Sequence, residues 1–157
     1  WMIQMARGRA TPVVVDPKGR DFLGYRGATV VTPNELELRE VVGAWASNDE
    51  MVQKAKNLIK QLELDGLLVT QGERGMTFFQ LGQEPLSESV RRLEVYDVSG
   101  AGDTVAAMVA VSLAAHQSWQ EILQYSNVAA GVVVAKLGTA IATLAEIRAA
   151  LSESTPR

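Results

Sequence analysis

The residues best suited to chemistry lie at positions 97–104, Asp-Val-Ser-Gly-Ala-Gly-Asp-Thr, between a predicted strand and a long predicted helix. Gly100 and Gly102 let a ligand approach the main chain closely. The free N–H groups and the positive dipole end of a helix start attract phosphate. A carboxylate would repel such a ligand, so Asp103 fits this place as a base that takes a proton from an attacking hydroxyl. The alternative is an ordinary first-turn helix residue.

Two oxygen-bearing side chains follow another predicted strand. Asn34 precedes Glu37 by three residues, which is the spacing of a capping box at the start of a helix. At the carboxyl end of a strand the same side chains could hold a hydrated Mg²⁺, which takes oxygen ligands and keeps several waters. Both interpretations stay open from the sequence.

Two turn segments follow further predicted strands. Residues 70–75, Thr-Gln-Gly-Glu-Arg-Gly, are typical of a β-turn that needs glycine, and they also allow a backbone approach to a nucleotide. Lys18 and Arg20 lie just past a strand end. Loops at that edge form the ligand crevice of α/β sheets, so both cations could face phosphate. The alternative for them is a solvated loop.

A regular alternation of predicted strands and helices positions these segments. Uninterrupted β-branched runs such as residues 13–15 are typical of parallel strands covered on both faces. The alternation predicts an α/β fold with a largely parallel sheet flanked by helices, in one structural unit. The two long helices rich in Ala and Val are expected to be largely buried. Strands are predicted at 13–15, 29–32, 67–70, 76–80 and 90–95, and helices at 2–7, 34–42, 49–62, 101–116, 118–136 and 143–151.

Composition excludes several functional classes. The 157 residues are 47% apolar and 21% charged, which is typical of a soluble globular domain. A net charge of −3 argues against nucleic acid as a partner. There is no apolar run of about 18 residues to span a membrane and no secretory leader at the start, so a cytoplasmic protein is expected. The absence of cysteine excludes disulfides, thiolate metal sites and a cysteine nucleophile.

Taken in order, the motifs resemble the ribokinase-like, or pfkB, carbohydrate kinases. The order is Asp-Pro-Lys-x-Arg, Asn-x-x-Glu, Thr-x-Gly-x-x-Gly and Gly-Ala-Gly-Asp. The strings at residues 16–19 and 136–139 are similar to the branch of the family that phosphorylates heptose 7-phosphate. The resemblance covers nearly all of the chain but only about the second half of the family's kinase domain. It implies that residues 1–157 are the C-terminal, nucleotide-binding half of a ribokinase-like domain, without the N-terminal half and its β lid.

The resemblance also implies a role for each matching residue. Asp103 is similar to the catalytic base of the family. Lys18 stands where many relatives carry asparagine, so the match departs from the family's pattern there. The remaining implied sites are an anion hole at Gly100, Ala101 and Gly102, nucleotide contacts at Thr70, Gly72, Gly75, Asn127, Lys136 and Gly138, phosphate or substrate contacts at Lys18 and Arg20, and Mg²⁺ ligands at Asn34 and Glu37.

The function that the resemblance implies is transfer of a phosphoryl group from ATP, with Mg²⁺, to a sugar hydroxyl. In the heptose branch the substrate is heptose 7-phosphate, the product is the 1,7-bisphosphate, and the pathway supplies lipopolysaccharide precursors. The chain alone is expected to be inactive, because the sugar site lies mainly in the other half of the domain. The alternatives are another sugar kinase of ribokinase or fructokinase type, and a non-catalytic nucleotide-binding or assembly module. A homo-oligomer, or association through the exposed sheet edge, is also expected.

Overall fold

The computed structural model describes residues 1–90 and 96–152. Strands and helices are both spread along this part of the chain, but three strands follow one another between residues 66 and 88, and three helices between residues 101 and 152. Single-turn 3₁₀ segments occupy Leu23–Tyr25 and Gly72–Arg74. The strands are β1 Val14–Val15, β2 Val30–Val31, β3 Gly66–Thr70, β4 Met76–Phe79 and β5 Leu86–Glu88, and the helices are α1 Met2–Gly8, α2 Glu35–Val42, α3 Asn48–Leu62, α4 Ala101–Ala114, α5 Trp119–Val134 and α6 Leu144–Ser152.

The five strands form one mixed sheet in the order β1-β2-β3-β4-β5. The first three are parallel, and β4 and β5 are antiparallel to their neighbours. The turn between β3 and β4 is too short for the crossover that a parallel pair needs, so this pair must be antiparallel. The strand predicted at 90–95 lies almost wholly outside the described residues. Strand β5 has no counterpart among the predicted strands.

The side chains of the sheet divide between two hydrophobic cores. Leu67 and Val69 of β3 point to the face covered by α2 and α3, and Leu68 points to the face covered by α4 and α5. This alternation follows from the two-residue repeat of a strand. On the second face, Phe78 of β4 stacks on Trp119 at a ring separation of 3.8 Å. The sheet is therefore sandwiched between two helical layers.

Helix α4 differs from the expectation that both long helices are largely buried. Its buried residues are Val105, Val109 and Ser112, whereas Val111 is 65% exposed. The helix packs against α5 and β1 through one face. Its other face is apolar but is not covered by any element in the described residues, so composition alone misjudged its burial. None of the helices described here has the length and apolar character needed to cross a lipid bilayer.

Candidate active site

A cavity of about 530 Å³ lies between the turn that follows β3, the start of α4 and one side of α5. Apolar side chains, including Met76, Val98 and Val105, form much of its wall. Six of the nine residues predicted to form the anion hole or to contact the nucleotide meet here. They are Thr70, Gly72, Gly75, Ala101, Gly102 and Asn127.

The carboxyl ends of β2 and β3 bring two of the predicted motifs side by side. The Thr70 N–H donates to the carbonyl oxygen of Pro33 at 3.0 Å, and Asn34 and Thr70 form an isolated parallel bridge. Neighbouring parallel strands end at the same edge of a sheet, where α/β proteins bind ligands. The Asn-x-x-Glu motif therefore borders the turn that forms one wall of the cavity.

The glycine turn before α4 has the geometry of an anion site. Gly100 is the N-cap with φ of +80°, a left-handed conformation that favours glycine. Among the described residues, no side chain caps this helix start. The Ala101 N–H donates to the Val98 carbonyl oxygen at 3.2 Å, so the amides of Gly102 and Asp103 are the first-turn donors open to a ligand, with the positive end of the helix dipole behind them. Asp103 lies in the first turn with an exposed side chain.

Asp97 organises this turn, a role that sequence reasoning missed. One carboxylate oxygen accepts from the Ser99 N–H at 2.8 Å, and the other accepts from the Gly138 N–H at 3.2 Å. Hydrogen bonds from Ser99, and then from Gly138, lower the pKa of Asp97. An aspartate two residues before a serine in a glycine-rich turn is a known signal for such a local contact. Gly138 is thus held next to the glycine turn without lining the cavity.

Lys136 also lies outside the cavity wall. Its Nζ donates to the Ile141 carbonyl oxygen at 2.7 Å and pairs with a Glu146 carboxylate oxygen at 2.7 Å. Hydrogen bonds from Lys136 and from Thr143 lower the pKa of Glu146 from its usual value near 4.5 to about 2. In this structure Lys136 fastens the segment after α5 to α6.

Asn34 and Glu37 form the predicted capping box. The Asn34 Oδ1 accepts from the Glu37 N–H, and the Glu37 Oε2 accepts from the Asn34 N–H, each at 2.8 Å. The second carboxylate oxygen of Glu37 is not used by the box. Within the described residues there is no cluster of three His, Cys, Asp or Glu side chains that could hold a metal. An Mg²⁺ ion beside Asn34 and Glu37 would have to take its other ligands from phosphates and water, as Mg²⁺ commonly does.

The two predicted phosphate-binding cations are separated in space. Lys18 pairs with Asp16 at 2.8 Å. This hydrogen bond raises the pKa of Lys18, and the carboxylates of Glu37 and Asp103 contribute in the same direction. Arg20 instead pairs with Glu40 at 3.3 Å and lines a different cavity of about 390 Å³ beside α2 and α3. The two cations are therefore engaged by different acids, and Asp103 is among the carboxylates that act on Lys18.

Close contacts hold the segment after β5 against the cavity. Asn127 donates from Nδ2 to the Ser89 carbonyl oxygen at 2.9 Å, and Val90 lines the cavity wall. Gly75 has φ of +90°, and a Cβ placed there would lie 1.9 Å from the Glu88 carbonyl oxygen. Gly75 is therefore required by strand packing, in addition to its position in the cavity wall.

Known proteins match this chain along most of its length. A family model described as pfkB family carbohydrate kinase matches residues 2–146. A protein described as bifunctional protein HldE from Vibrio parahaemolyticus is 51% identical over 148 residues, which is 94% of this chain and 31% of that protein. The protein of the same description from Aeromonas hydrophila is 51% identical over 150 residues, 96% of this chain and 32% of its own. The chain spans about a third of the length of these relatives.

Solved structures share the fold. Arabidopsis thaliana ribokinase complexed with ribose and ATP superposes with a TM-score of 0.83 at 26% identity, covering 95% of this chain and 51% of the ribokinase. Escherichia coli phosphofructokinase-2 in complex with substrates and products gives a TM-score of 0.83 at 18% identity, covering 97% of this chain and 51% of that enzyme. The predicted ribokinase-like α/β fold, lacking about half of the reference chains, is confirmed.

Proposed function

The chain belongs to the pfkB family of carbohydrate kinases, and from this premise we propose that residues 1–157 form the C-terminal, nucleotide-binding half of an ATP-dependent sugar kinase. One observation carries the proposal. The uncapped glycine turn of α4, the turn after β3 and Asn127 of α5 enclose a single cavity. Three segments that are distant in sequence thus meet where a nucleotide with its phosphates would need them.

The cavity suits ATP in size and in chemistry. Its volume of about 530 Å³ falls in the range of roughly 300–1,000 Å³ that is usual for small-molecule sites. Its apolar wall, near Met76 and Val105, offers surface to a nucleobase, and the amides at the start of α4 offer donors to phosphate. The polar groups of Thr70 and Asn127 lie in the same wall and would fix the orientation of the nucleotide.

Magnesium fits as an ion carried with the nucleotide. The carboxylate oxygen of Glu37 that the capping box leaves unused, with Asn34 beside it, would hold the ion or one of its waters. Bound there, Mg²⁺ would offset the negative charge of the phosphates.

Asp103 is the base of the proposed reaction. It accepts the proton of the sugar hydroxyl while that oxygen forms a bond to the γ-phosphorus of ATP, and the bond from the γ-phosphorus to the ADP oxygen breaks. The free amides at the start of α4, at Gly102 and Asp103, stabilise the charge that develops on the transferring group. Lys18, whose pKa responds to the Asp103 carboxylate, places a positive charge on the acceptor side. The products are ADP and a sugar phosphate.

Heptose 7-phosphate is the sugar that we propose, with its anomeric hydroxyl as the acceptor. The support is the 51% identity to proteins described as bifunctional protein HldE, together with the strings at residues 16–19 and 136–139. The acceptor itself would be recognised mainly by the other half of the domain. For that reason we propose that residues 1–157 alone bind ATP weakly and turn over no sugar.

The experiment uses the complete kinase, in which these residues are joined to the preceding half of the domain. ADP release is measured with MgATP and each of heptose 7-phosphate, ribose, fructose and fructose 6-phosphate. We expect kcat/KM for heptose 7-phosphate to exceed the values for ribose and fructose by about 100-fold or more, because a site built for a phosphate rejects sugars that lack it. It should also exceed the value for fructose 6-phosphate, whose shorter carbon chain places the phosphate at a different distance from the reacting hydroxyl. A preference for ribose, fructose or fructose 6-phosphate would overturn heptose 7-phosphate as the proposed substrate. ATP binding without turnover of any sugar would favour a non-catalytic nucleotide-binding module.

A further inference from the structure

Glu35 makes contacts that the proposed reaction does not use. It is the first residue of α2, and its side chain is only 18% exposed. One carboxylate oxygen accepts hydrogen bonds from Arg39, at 2.9 Å from Nη2 and 3.3 Å from Nε. The other oxygen is contacted by Nη2 of Arg74. A single carboxylate therefore binds two guanidinium groups from different parts of the chain.

The two arginines have different surroundings. Arg39 belongs to α2 as Glu35 does, and its guanidinium lies 4.1 Å from the ring centroid of Trp45, so its position is already fixed. Arg74 ends the 3₁₀ turn Gly72–Arg74, and Gly72, Glu73 and Gly75 line the cavity. The Glu35–Arg74 pair thus joins a rigid helix start to the wall of the nucleotide cavity.

The Thr70 N–H donates to the Pro33 carbonyl oxygen at 3.0 Å, which anchors the start of this turn beside α2, and the main-chain bonds that follow stay within the turn. The Arg74 N–H donates to Gln71 at 3.3 Å, the Gly75 N–H donates to Gly72 at 3.0 Å, and the Gln71 N–H donates to Gly75 at 2.8 Å. All three bonds connect residues of the turn to one another. Beyond Thr70, the position of the Gly72–Arg74 turn relative to α2 therefore depends on the contact of Arg74 with Glu35.

We infer that Glu35 is a positioning residue that, through Arg74, holds the Gly72–Arg74 turn at a fixed distance from the start of α2. The inference rests on the proposed nucleotide site. The contact keeps the cavity wall that would face the nucleotide at a constant distance from Asn34 and Glu37. It does not affect the position of Asp103, which lies on α4. Loss of the contact should weaken nucleotide binding and leave the chemical step intact.

The test is steady-state kinetics of the complete kinase with Glu35→Gln, Arg74→Gln and the double variant. Glu35→Gln keeps the shape of the side chain and removes its charge. We expect the KM for ATP to rise about three- to tenfold, with kcat changed by less than about twofold. The double variant should be no worse than either single variant, because all three lose the same contact. The matched control is Glu63→Gln, which removes the long-range ion pair with Arg26, a pair whose residues do not line the cavity.

Each outcome bears on a separate claim. An unchanged KM for ATP in Glu35→Gln, or effects of the two single variants that multiply in the double variant, would overturn the positioning role. Equal losses of kcat and melting temperature in the Glu35 and Glu63 variants would assign Glu35 a purely structural role and would also overturn it. Failure of the unsubstituted kinase to bind ATP would overturn the proposed function itself, and this inference with it.

Discussion

At the scale of single residues, Asp103, the proposed base, gives the sharpest prediction. Asp103→Asn keeps the size of the side chain and removes the proton acceptor. Turnover by the complete kinase should fall about 10²–10⁴-fold, because that is the usual contribution of a general base. The affinity for ATP, measured by calorimetry, should stay within about threefold, since the asparagine removes a negative charge near the phosphates without blocking the amides.

The control for this variant is Asp49→Asn. Asp49 is also an exposed acid in the first turn of a helix, so it shares the interaction of Asp103 with a helix dipole. Its replacement should leave turnover unchanged. If Asp103→Asn retains more than about a tenth of the wild-type rate, Asp103 is not the base.

Asn34 and Ser118 are both N-caps of capping boxes, on α2 and on α5. A comparison of the two therefore separates helix capping from the proposed binding of Mg²⁺, which only Asn34 would share. Either residue changed to alanine should lower the free energy of unfolding by about 0.5–2 kcal/mol, through loss of the cap. Asn34→Ala should in addition raise the Mg²⁺ concentration needed for half-maximal activity, whereas Ser118→Ala should not. Denaturant melts and Mg²⁺ titrations of the complete kinase measure the two effects. Equal Mg²⁺ requirements for the two variants would leave Asn34 with the capping role alone.

At the scale of secondary-structure elements, Gly75 decides how closely β5 can approach the start of β4. A Cβ at Gly75 would lie 1.9 Å from the Glu88 carbonyl oxygen, so β5 must move away in Gly75→Ala. Gly82 also has a positive φ, of +73°, but a Cβ there meets nothing within 4 Å. Gly82→Ala should therefore cost about 1–2 kcal/mol of stability from backbone strain alone.

We expect Gly75→Ala to lower the free energy of unfolding by about 3 kcal/mol or more, because the displacement of β5 adds to a backbone strain similar to that at position 82. The same displacement moves Ser89, which Asn127 holds, so the affinity for ATP should fall as well. Urea unfolding of the two glycine variants provides the comparison. Equal losses of stability would mean that the close approach of Glu88 can be relieved without cost.

At the scale of the whole molecule, the described residues leave one apolar face of α4 uncovered. Val111 of α4 is 65% exposed. Ala107, Ala110 and Ala114 are also exposed and share its face at helical spacing. At the edge of the described sheet, β1 is a strand of two residues with a neighbour on one side. Both features favour association when the chain is prepared alone.

Sedimentation velocity of residues 1–157 should therefore show concentration-dependent self-association at micromolar concentrations. Val111→Lys should reduce it, because a charge on the exposed face of α4 opposes burial of that face. Leu36→Lys is the control, since Leu36 of α2 is 68% exposed and lies on a different helix. A single monomeric species at every concentration would contradict the expectation. Equal association of both variants and the wild type would point instead to the edge at β1.

The sequence by itself determined the features that depend on near neighbours along the chain. Three local features lie where the sequence predicts them, and each depends on a few adjacent residues. They are the capping box of Asn34 with Glu37, the end of α2 at Val42 and the glycine turn before α4. The α/β class followed from the alternation of apolar patterns, for the same local reason. Motif order predicted the family, because each motif has a fixed spacing.

Tertiary structure alone decided which of these features meet. Asn127 and Gly72 share a cavity, whereas Arg20 and Lys136 pair with acids elsewhere, because partners far apart in sequence set where a long side chain ends. Strand β5 escaped prediction because its Leu-Ser-Glu sequence has little strand preference, and its pairing with β4 creates it. The contact between Glu35 and Arg74, which are 39 residues apart in sequence, and the exposed face of α4 likewise depend on how distant segments pack. Packing between distant segments, which no local pattern encodes, fixed the site.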